Sequence, residues 1–253
     1  MSAPQSAKTR RERRSELRTA RHDARRHPRQ ASRFGLGTLS AIGLVGGLAV
    51  VAIAVMFGAR PTPVAADPAA DVAVARAPAG LATDGFVIGR ADAPVTIDLY
   101  EDFQCPACES WGRNVFPSLV SNELADGTVR IVFRDMAFLG PESTDAGRAA
   151  YAAAQQSKFW DMWATLYANQ GRENSGAFSR DRLVAMADRL GLDVARFETD
   201  MDSSEARAAI DGSRSEAGRA GVTSTPTLVI DGQPLVGVGS YADLSAAIAA
   251  AAK

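Results

Sequence analysis

Soft metal ligands are almost missing from this chain. Its 253 residues include two cysteines and two histidines. Both histidines, His22 and His27, lie near the N-terminus, and both cysteines, Cys105 and Cys108, lie in one Cys-x-x-Cys. A zinc site needs four ligands; the histidines lie far from the cysteines in the N-terminal tail, and no further cysteine exists to complete a four-sulfur site within one chain. No second cysteine pair exists to staple the fold, and a bridge from Cys105 to Cys108 closes too short a loop to remove much chain entropy. Charge is missing too, from Phe34 to Ala59, a run of 26 residues that includes Leu36, Leu39, Ile42, Leu44, Val45, Leu48, Val50, Val51, Ile53, Val55, Met56 and Phe57. No internal repeat is present.

The net charge of −1 hides an asymmetry. Residues 1–33 carry eleven Lys and Arg against Glu12, Glu16 and Asp23, a local charge of +8 that leaves −9 for the remainder. An arginine-rich tail alone would suggest nucleic acid. Followed by a long uncharged run, it reads instead as a topology signal, with no nucleic-acid partner. About 20 apolar residues cross a bilayer as a helix, whereas a cleaved signal peptide has an apolar core of about 7–15. The expectation is an uncleaved transmembrane helix over 34–59; cleavage after Val64-Ala65-Ala66 is the rival reading. The basic side stays in the cytoplasm, so everything after Arg60 lies outside. Gly43 and Gly47 have the spacing of a helix-pairing motif, but small residues are common in such spans.

Residues 60–84, with Pro61, Pro63, Pro68 and Pro78 among many alanines, read as an extended spacer. Globular patterning starts near Phe86. Val95–Tyr100 reads as a strand, and an amphipathic helix starts at Pro106 and kinks at Pro117. Val129–Phe133 alternates as a strand does. A helical block follows: one helix capped by Ser143, another with Phe159, Trp163, Leu166 and Tyr167 on one face, and a third from Ser179 to Gly191. A short turn from Asp193 to Phe197 and a helix over about 202–220 complete it. Thr227–Ile230 and Leu235–Val238 flank Asp231-Gly232, a hairpin signal. Ser240 caps a last helix through Leu244, Ala247, Ile248 and Ala251. Strands split around helices imply an α/β sandwich with a helical cap.

The Cys-x-x-Cys sits between a strand and a helix. A helix N-terminus has unpaired N–H groups and partial positive charge, which stabilise a thiolate on the first cysteine. Pro106 suits the first turn, where its missing N–H is not needed. The context points to a redox-active pair. Outside the membrane, where disulfides persist, such a pair handles other proteins' disulfides. Two thiolates also suit Cu(I), so a non-enzymatic metal or protein carrier is the competing class.

Val95-Thr96-Ile97, Asp102-Phe103-Gln104-Cys105-Pro106-Ala107-Cys108 and Gly221-Val222-Thr223-Ser224-Thr225-Pro226-Thr227 resemble the DsbA-like branch of the thioredoxin superfamily. Phe133-Arg134-Asp135 and Lys158-Phe159-Trp160 are similar to it as well. The likeness covers about residues 84–253. It implies a thioredoxin fold over 85–253 with a helical insertion at about 140–221, and thiol–disulfide oxidoreductase activity. By the same resemblance Cys105 is the nucleophile, Cys108 the buried resolving cysteine, and Thr225-Pro226 a cis-proline loop that holds substrate. No cofactor is implied beyond the Cys105–Cys108 disulfide, and no metal.

The implied partners are exported proteins and a quinone-reducing membrane oxidase. The implied place is the bacterial cell membrane, single-pass, with the N-terminus cytoplasmic. Running the same exchange backwards would make the chain a reductase or isomerase. Three departures from the family bear on strength. Ala107 stands where a strongly oxidising member has histidine, which predicts a milder oxidant. Leu99 stands six residues before Cys105, where a buried acid is often found, with Asp98 facing the other side, so water is expected to serve Cys108. Glu101 and Asp102 add negative charge that opposes the thiolate.

Overall fold

A computed structural model describes residues 72–237 and 239–253. The basic tail, the expected membrane span and the first part of the spacer lie outside the described residues. Among the described residues no helix is long and apolar enough to cross a membrane. Six strands form one mixed sheet in the order β1-β2-β4-β3-β5-β6. They are β1 (Thr83–Asp84), β2 (Val87–Gly89), β3 (Val95–Glu101), β4 (Val129–Asp135), β5 (Thr227–Ile230) and β6 (Gln233–Val236). β3 and β4 run parallel; the other neighbours are antiparallel. After β3 come α1 (Pro106–Asn114), α2 (Phe116–Leu119) and a π-helical turn, Val120–Leu124. Between β4 and β5 lie α3 (Pro141–Ala154), α4 (Phe159–Ala168), α5 (Arg180–Arg189), α6 (Val194–Met201) and α7 (Ser204–Arg219), and α8 (Tyr241–Ala251) ends the chain. The five helices between β4 and β5 thus span residues 141–219.

Alternation along β3 decides what each face does. Val95, Ile97 and Leu99 are buried in the main core, which also takes residues from α1, α3, α4 and α8. Tyr100 joins Met136, Ala217, Val222 and Val229 in a smaller cluster beside α7. On that second face Arg130 Nε donates to Thr96 Oγ1 at 2.9 Å and Arg134 Nε to Asp98 Oδ1 at 2.8 Å. Asp98 therefore faces away from Leu99, as its position predicts.

Several local readings need correction. The Cys-x-x-Cys helix breaks at Val115 rather than bending, because Pro117 starts a new short helix instead of continuing the old one. Ser143 is not a cap: α3 begins two residues earlier at Pro141, with Gly140 at the N-cap, and Ser143 is buried inside its first turn. The turn expected over Asp193–Phe197 is the start of an eight-residue helix, α6, whose N-cap Asp193 accepts from Arg196 N. Asp231 and Gly232 both have positive φ, at 50° and 73°, so the hairpin turn is two residues long. Pairing therefore begins at Gln233, opposite Ile230, and β6 ends at Val236 rather than Val238.

The spacer is also shorter than expected. From Val72 the chain lies against α4. Ala73 N donates to Asn169 Oδ1 at 2.9 Å, Ala75 N to Thr165 Oγ1 at 3.3 Å, and Ala77 N to Asp161 Oδ1 at 2.9 Å. Thr165 Oγ1 and Asn169 Nδ2 donate back to the Ala75 and Ala73 carbonyls. Two residues of extended chain advance about 6.6 Å and four residues of helix about 6 Å, so the rungs match. Alanine side chains let the backbone approach closely enough to make them.

Candidate active site

The site forms where β3 runs out. Cys105 occupies the N-cap of α1 with extended backbone (φ −75°, ψ 117°), and its carbonyl accepts from Cys108 N at 3.1 Å and Glu109 N at 3.2 Å. Both cysteines are free thiols. Cys105 keeps 8% of its surface exposed and Cys108 none, so only the first sulfur meets solvent. Pro106 and Ala107 are exposed beside it. The Thr225–Pro226 bond is cis, and Cys105 Sγ donates to the Thr225 carbonyl at 3.5 Å. A groove of about 200 Å³ runs along this edge between Ala107, Trp111 and Val115 of the α1 side and Pro226, Gly237 and Gly239 opposite. Cys105, Ala107, Thr225 and Pro226 thus share one surface, with Cys108 beneath it.

The two thiols are pushed in opposite directions. The Cys105 thiol is lowered to about 6. The Cys108 thiol donating to it is the largest cause; Thr225 and the backbone N–H groups of Cys108 and Ala107 add to it, against the cost of burial. The helix N-terminus contributes through the amides of Cys108 and Ala107, behind the Cys108 thiol and Thr225. Cys108 is pushed far up, first by burial, then by its own donation to Cys105 and by Glu101.

The absence of a buried acid, inferred from Leu99, is overturned. Glu101 is fully buried. It lies two residues after Leu99, and in a strand two residues return a side chain to the same face. Trp163 Nε1 donates to Glu101 Oε2 at 2.9 Å and the Tyr167 hydroxyl to the same oxygen at 3.1 Å; Oε1 has no partner. Burial pushes the Glu101 carboxyl up to about 8, partly offset by these two donors. It is thus largely neutral at pH 7, and the expectation that it opposes the thiolate as a fixed charge fails.

Asp102 is also buried, and its carboxylate is occupied. Oδ1 accepts from Gln104 N at 2.8 Å and Ser143 Oγ at 2.7 Å; Oδ2 accepts from Phe138 N at 2.8 Å and Leu139 N at 3.0 Å. Asp102 thereby ties the cysteine loop to the turn after β4 and to α3. Gln104 extends the tie, donating to Ser143 Oγ at 2.9 Å and accepting from Asn174 N at 2.6 Å. Gln170 Nε2 donates to the Phe103 and Cys105 carbonyls at 2.7 and 3.1 Å. The sequence reading missed Trp163, Tyr167, Gln170 and Ser143 as site residues. For Glu101 the period-two rule was available; the others come from the insertion and reach the loop only through the fold.

Comparison with known proteins agrees with this geometry. A family model described as "Thioredoxin" matches residues 82–250. The probable disulfide bond formation protein D of Bacillus cereus is 28% identical over 149 residues, 57% of this chain and 69% of that protein. The crystal structure of a thioredoxin-like oxidoreductase from Silicibacter pomeroyi superposes with a TM-score of 0.57 at 30% identity, covering 65% of this chain and 90% of that one. Oxidised BdbD from Bacillus subtilis shares the fold, with a TM-score of 0.62 at 20% identity over 70% of this chain and 99% of that one. With an acidic thiol at a helix tip, a buried partner thiol beneath it and a family match across the domain, the chain belongs to the thioredoxin family as a DsbA-like thiol–disulfide oxidoreductase.

Proposed function

We propose that the chain introduces disulfides into exported proteins from a position anchored in the bacterial cell membrane. In the oxidised form, a client thiolate attacks Cys105 Sγ, the Cys105–Cys108 bond breaks, and Cys108 leaves as a thiolate that takes up a proton. The client's second thiolate then attacks its own sulfur in the mixed disulfide, and Cys105 leaves as a thiolate. Two electrons pass from the client dithiol to the cysteine pair. Cys105 at about 6 is a good leaving group at neutral pH. The buried Cys108 is favoured as the protonated thiol, which disfavours reversal of the first step.

The observation that carries this reading is the opposite perturbation of two thiols three residues apart, one at the surface and one sealed below. The groove between Ala107 and Pro226 suits an apolar client side chain next to the reacting sulfur. The anchor rests on the uncharged run 34–59 with its basic flank. A quinone-reducing membrane oxidase is the proposed acceptor that restores the disulfide.

The test is to express Cys108→Ala full-length protein in its native cell, trap mixed disulfides with acid and identify what is bound to Cys105. Exported proteins and one membrane oxidase are expected. Cytoplasmic clients alone would refute the location. Cys105 found mostly as free thiol in growing wild-type cells would reverse the direction and make the chain a reductase.

A further inference from the structure

Two buried acids end neighbouring strands, one of them, Glu101, near enough to interact with both cysteines. Glu101 and Asp135 are the last residues of β3 and β4 and are register partners across the parallel ladder. Paired residues of neighbouring strands sit about 4.8 Å apart and project from the same face. Glu101 is fully buried and Asp135 retains 7% exposure. Each has one carboxyl oxygen, Glu101 Oε1 and Asp135 Oδ1, sealed from solvent without a hydrogen-bond partner. Buried carboxyl oxygens are seldom left so. Two such orphans on adjacent register positions are what a shared proton, or one bridging water, would satisfy.

The second observation is where Asp135 leads. It lines a cavity of about 470 Å³ between β2, β4, α3 and α7. Small residues, Gly147 and Ala150 of α3 and Ala208, Ala209 and Gly212 of α7, leave that space unfilled. Asp84, Ala208 and Gly212 on its walls are exposed, so it opens at the surface. A Cβ at Gly147 would stand 2.0 Å from Asp135 Oδ2, so only glycine admits the carboxyl in its present place. Cys108 meets no solvent of its own.

We infer that Glu101 and Asp135 form a two-acid proton relay connecting the Cys108 sulfur to water in the cavity beside α7. The inference rests on the oxidoreductase reading above. When Cys108 leaves as a thiolate, Glu101 gives it a proton, Asp135 reprotonates Glu101, and cavity water reprotonates Asp135. When the disulfide re-forms, the Cys108 proton leaves by the same route. Burial and the Asp102 charge favour the protonated form of Asp135, against a backbone hydrogen bond from Ala137 and the charge of Arg214 on α7; Asp135 in turn helps to raise Glu101. Asp84, Arg134, Tyr151 and Glu216 line the cavity wall, and the Tyr167 hydroxyl on α4 donates to Glu101. Arg134 is held by Asp98 and Glu216 on the other face of β4.

The test is closure of the Cys105–glutathione mixed disulfide, formed from reduced full-length protein and oxidised glutathione, in H2O and in D2O. Closure requires Cys108 to lose its proton; the preceding attack by Cys105 does not. Asp135→Asn is expected to slow closure about tenfold, below the ~10²–10⁴ that general acid–base groups contribute when they act directly, and to change the solvent isotope effect. Formation of the mixed disulfide should stay within about twofold of wild type, since it does not draw on the relay. Asp135→Glu should restore most of the rate.

Closure at the wild-type rate in Asp135→Asn, with Glu101→Gln slow, would end the relay at Glu101 and overturn the inference. A wild-type protein that never forms the mixed disulfide would instead overturn the oxidoreductase reading. If Asp135→Asn fails to fold, infrared difference spectra of wild-type protein between its oxidised and reduced forms serve in its place. Two shifted carboxyl bands are expected, and one band would refute the relay.

Discussion

Replacing Glu101 by glutamine should change how stability depends on pH. The carboxyl is fully buried and titrates at about 8 in the fold against 4.5 in its absence. Between those values the folded chain holds a proton that the unfolded chain has released. This group's contribution is therefore complete below about pH 4.5, falls as pH rises, and levels off above about 8. With roughly 1.4 kcal/mol for each pH unit of the window, the total loss is about 5 kcal/mol, about 3 of it by pH 7. Glutamine is neutral throughout, and its carbonyl keeps the Trp163 and Tyr167 donors. Its amide occupies the place of Oε1, which has no partner, at a pH-independent cost of about 1–3 kcal/mol. The variant should be less stable than wild type at pH 5 and more stable at pH 8, with the two curves crossing in between. Urea unfolding of the reduced proteins across this range, followed by tryptophan fluorescence, measures it. Parallel curves with a constant offset would show that Glu101 is not a buried neutral acid, and both the relay and the corrected reading of the site would go with it.

The rate of Cys105 alkylation should have its midpoint near pH 6 in wild-type protein and move toward 9 in Cys108→Ala, because the largest cause of the depression is the Cys108 donor; an unmoved midpoint would assign the effect to the helix amides alone. The same depression adds stability to the reduced form that is fully present above about pH 9 and lost as pH falls through about 6. Asp102→Ala leaves Gln104 N, Phe138 N, Leu139 N and Ser143 Oγ without their acceptor and should cost about 3–5 kcal/mol in urea unfolding, as other broken buried networks do; a loss under about 1 kcal/mol would show that water replaces the carboxylate. Ala107→His should lower the Cys105 midpoint further and raise the reduction potential, measured against a glutathione buffer; a potential unchanged or lower would remove the reason given for a milder oxidant.

Ordinary sequence rules located the cysteine helix, the hairpin and the last helix because their causes are local. Pro106 and the Cys105 N-cap are adjacent, Asp231-Gly232 imposes its own backbone, and the Ser240 hydroxyl reaches Asp243 N three residues on. Ser143 was misread because a hydroxyl near a helix start suits capping by chain position alone. In the fold it is drawn instead to Asp102, 41 residues earlier. The spacer was misread for a related reason. Its alanines carry no pattern, and the groups that hold them, Asp161, Thr165 and Asn169, lie 84 to 96 residues downstream.

The residues alone placed the cysteine pair at the tip of a helix, since the strand–motif–helix order and Pro106 are local signals, and they pointed to redox chemistry there. Tertiary structure decided which acid serves it. Whether a carboxyl is charged or neutral depends on how much water the fold removes and which donors it brings, and those donors come from α4, about sixty residues away in the chain.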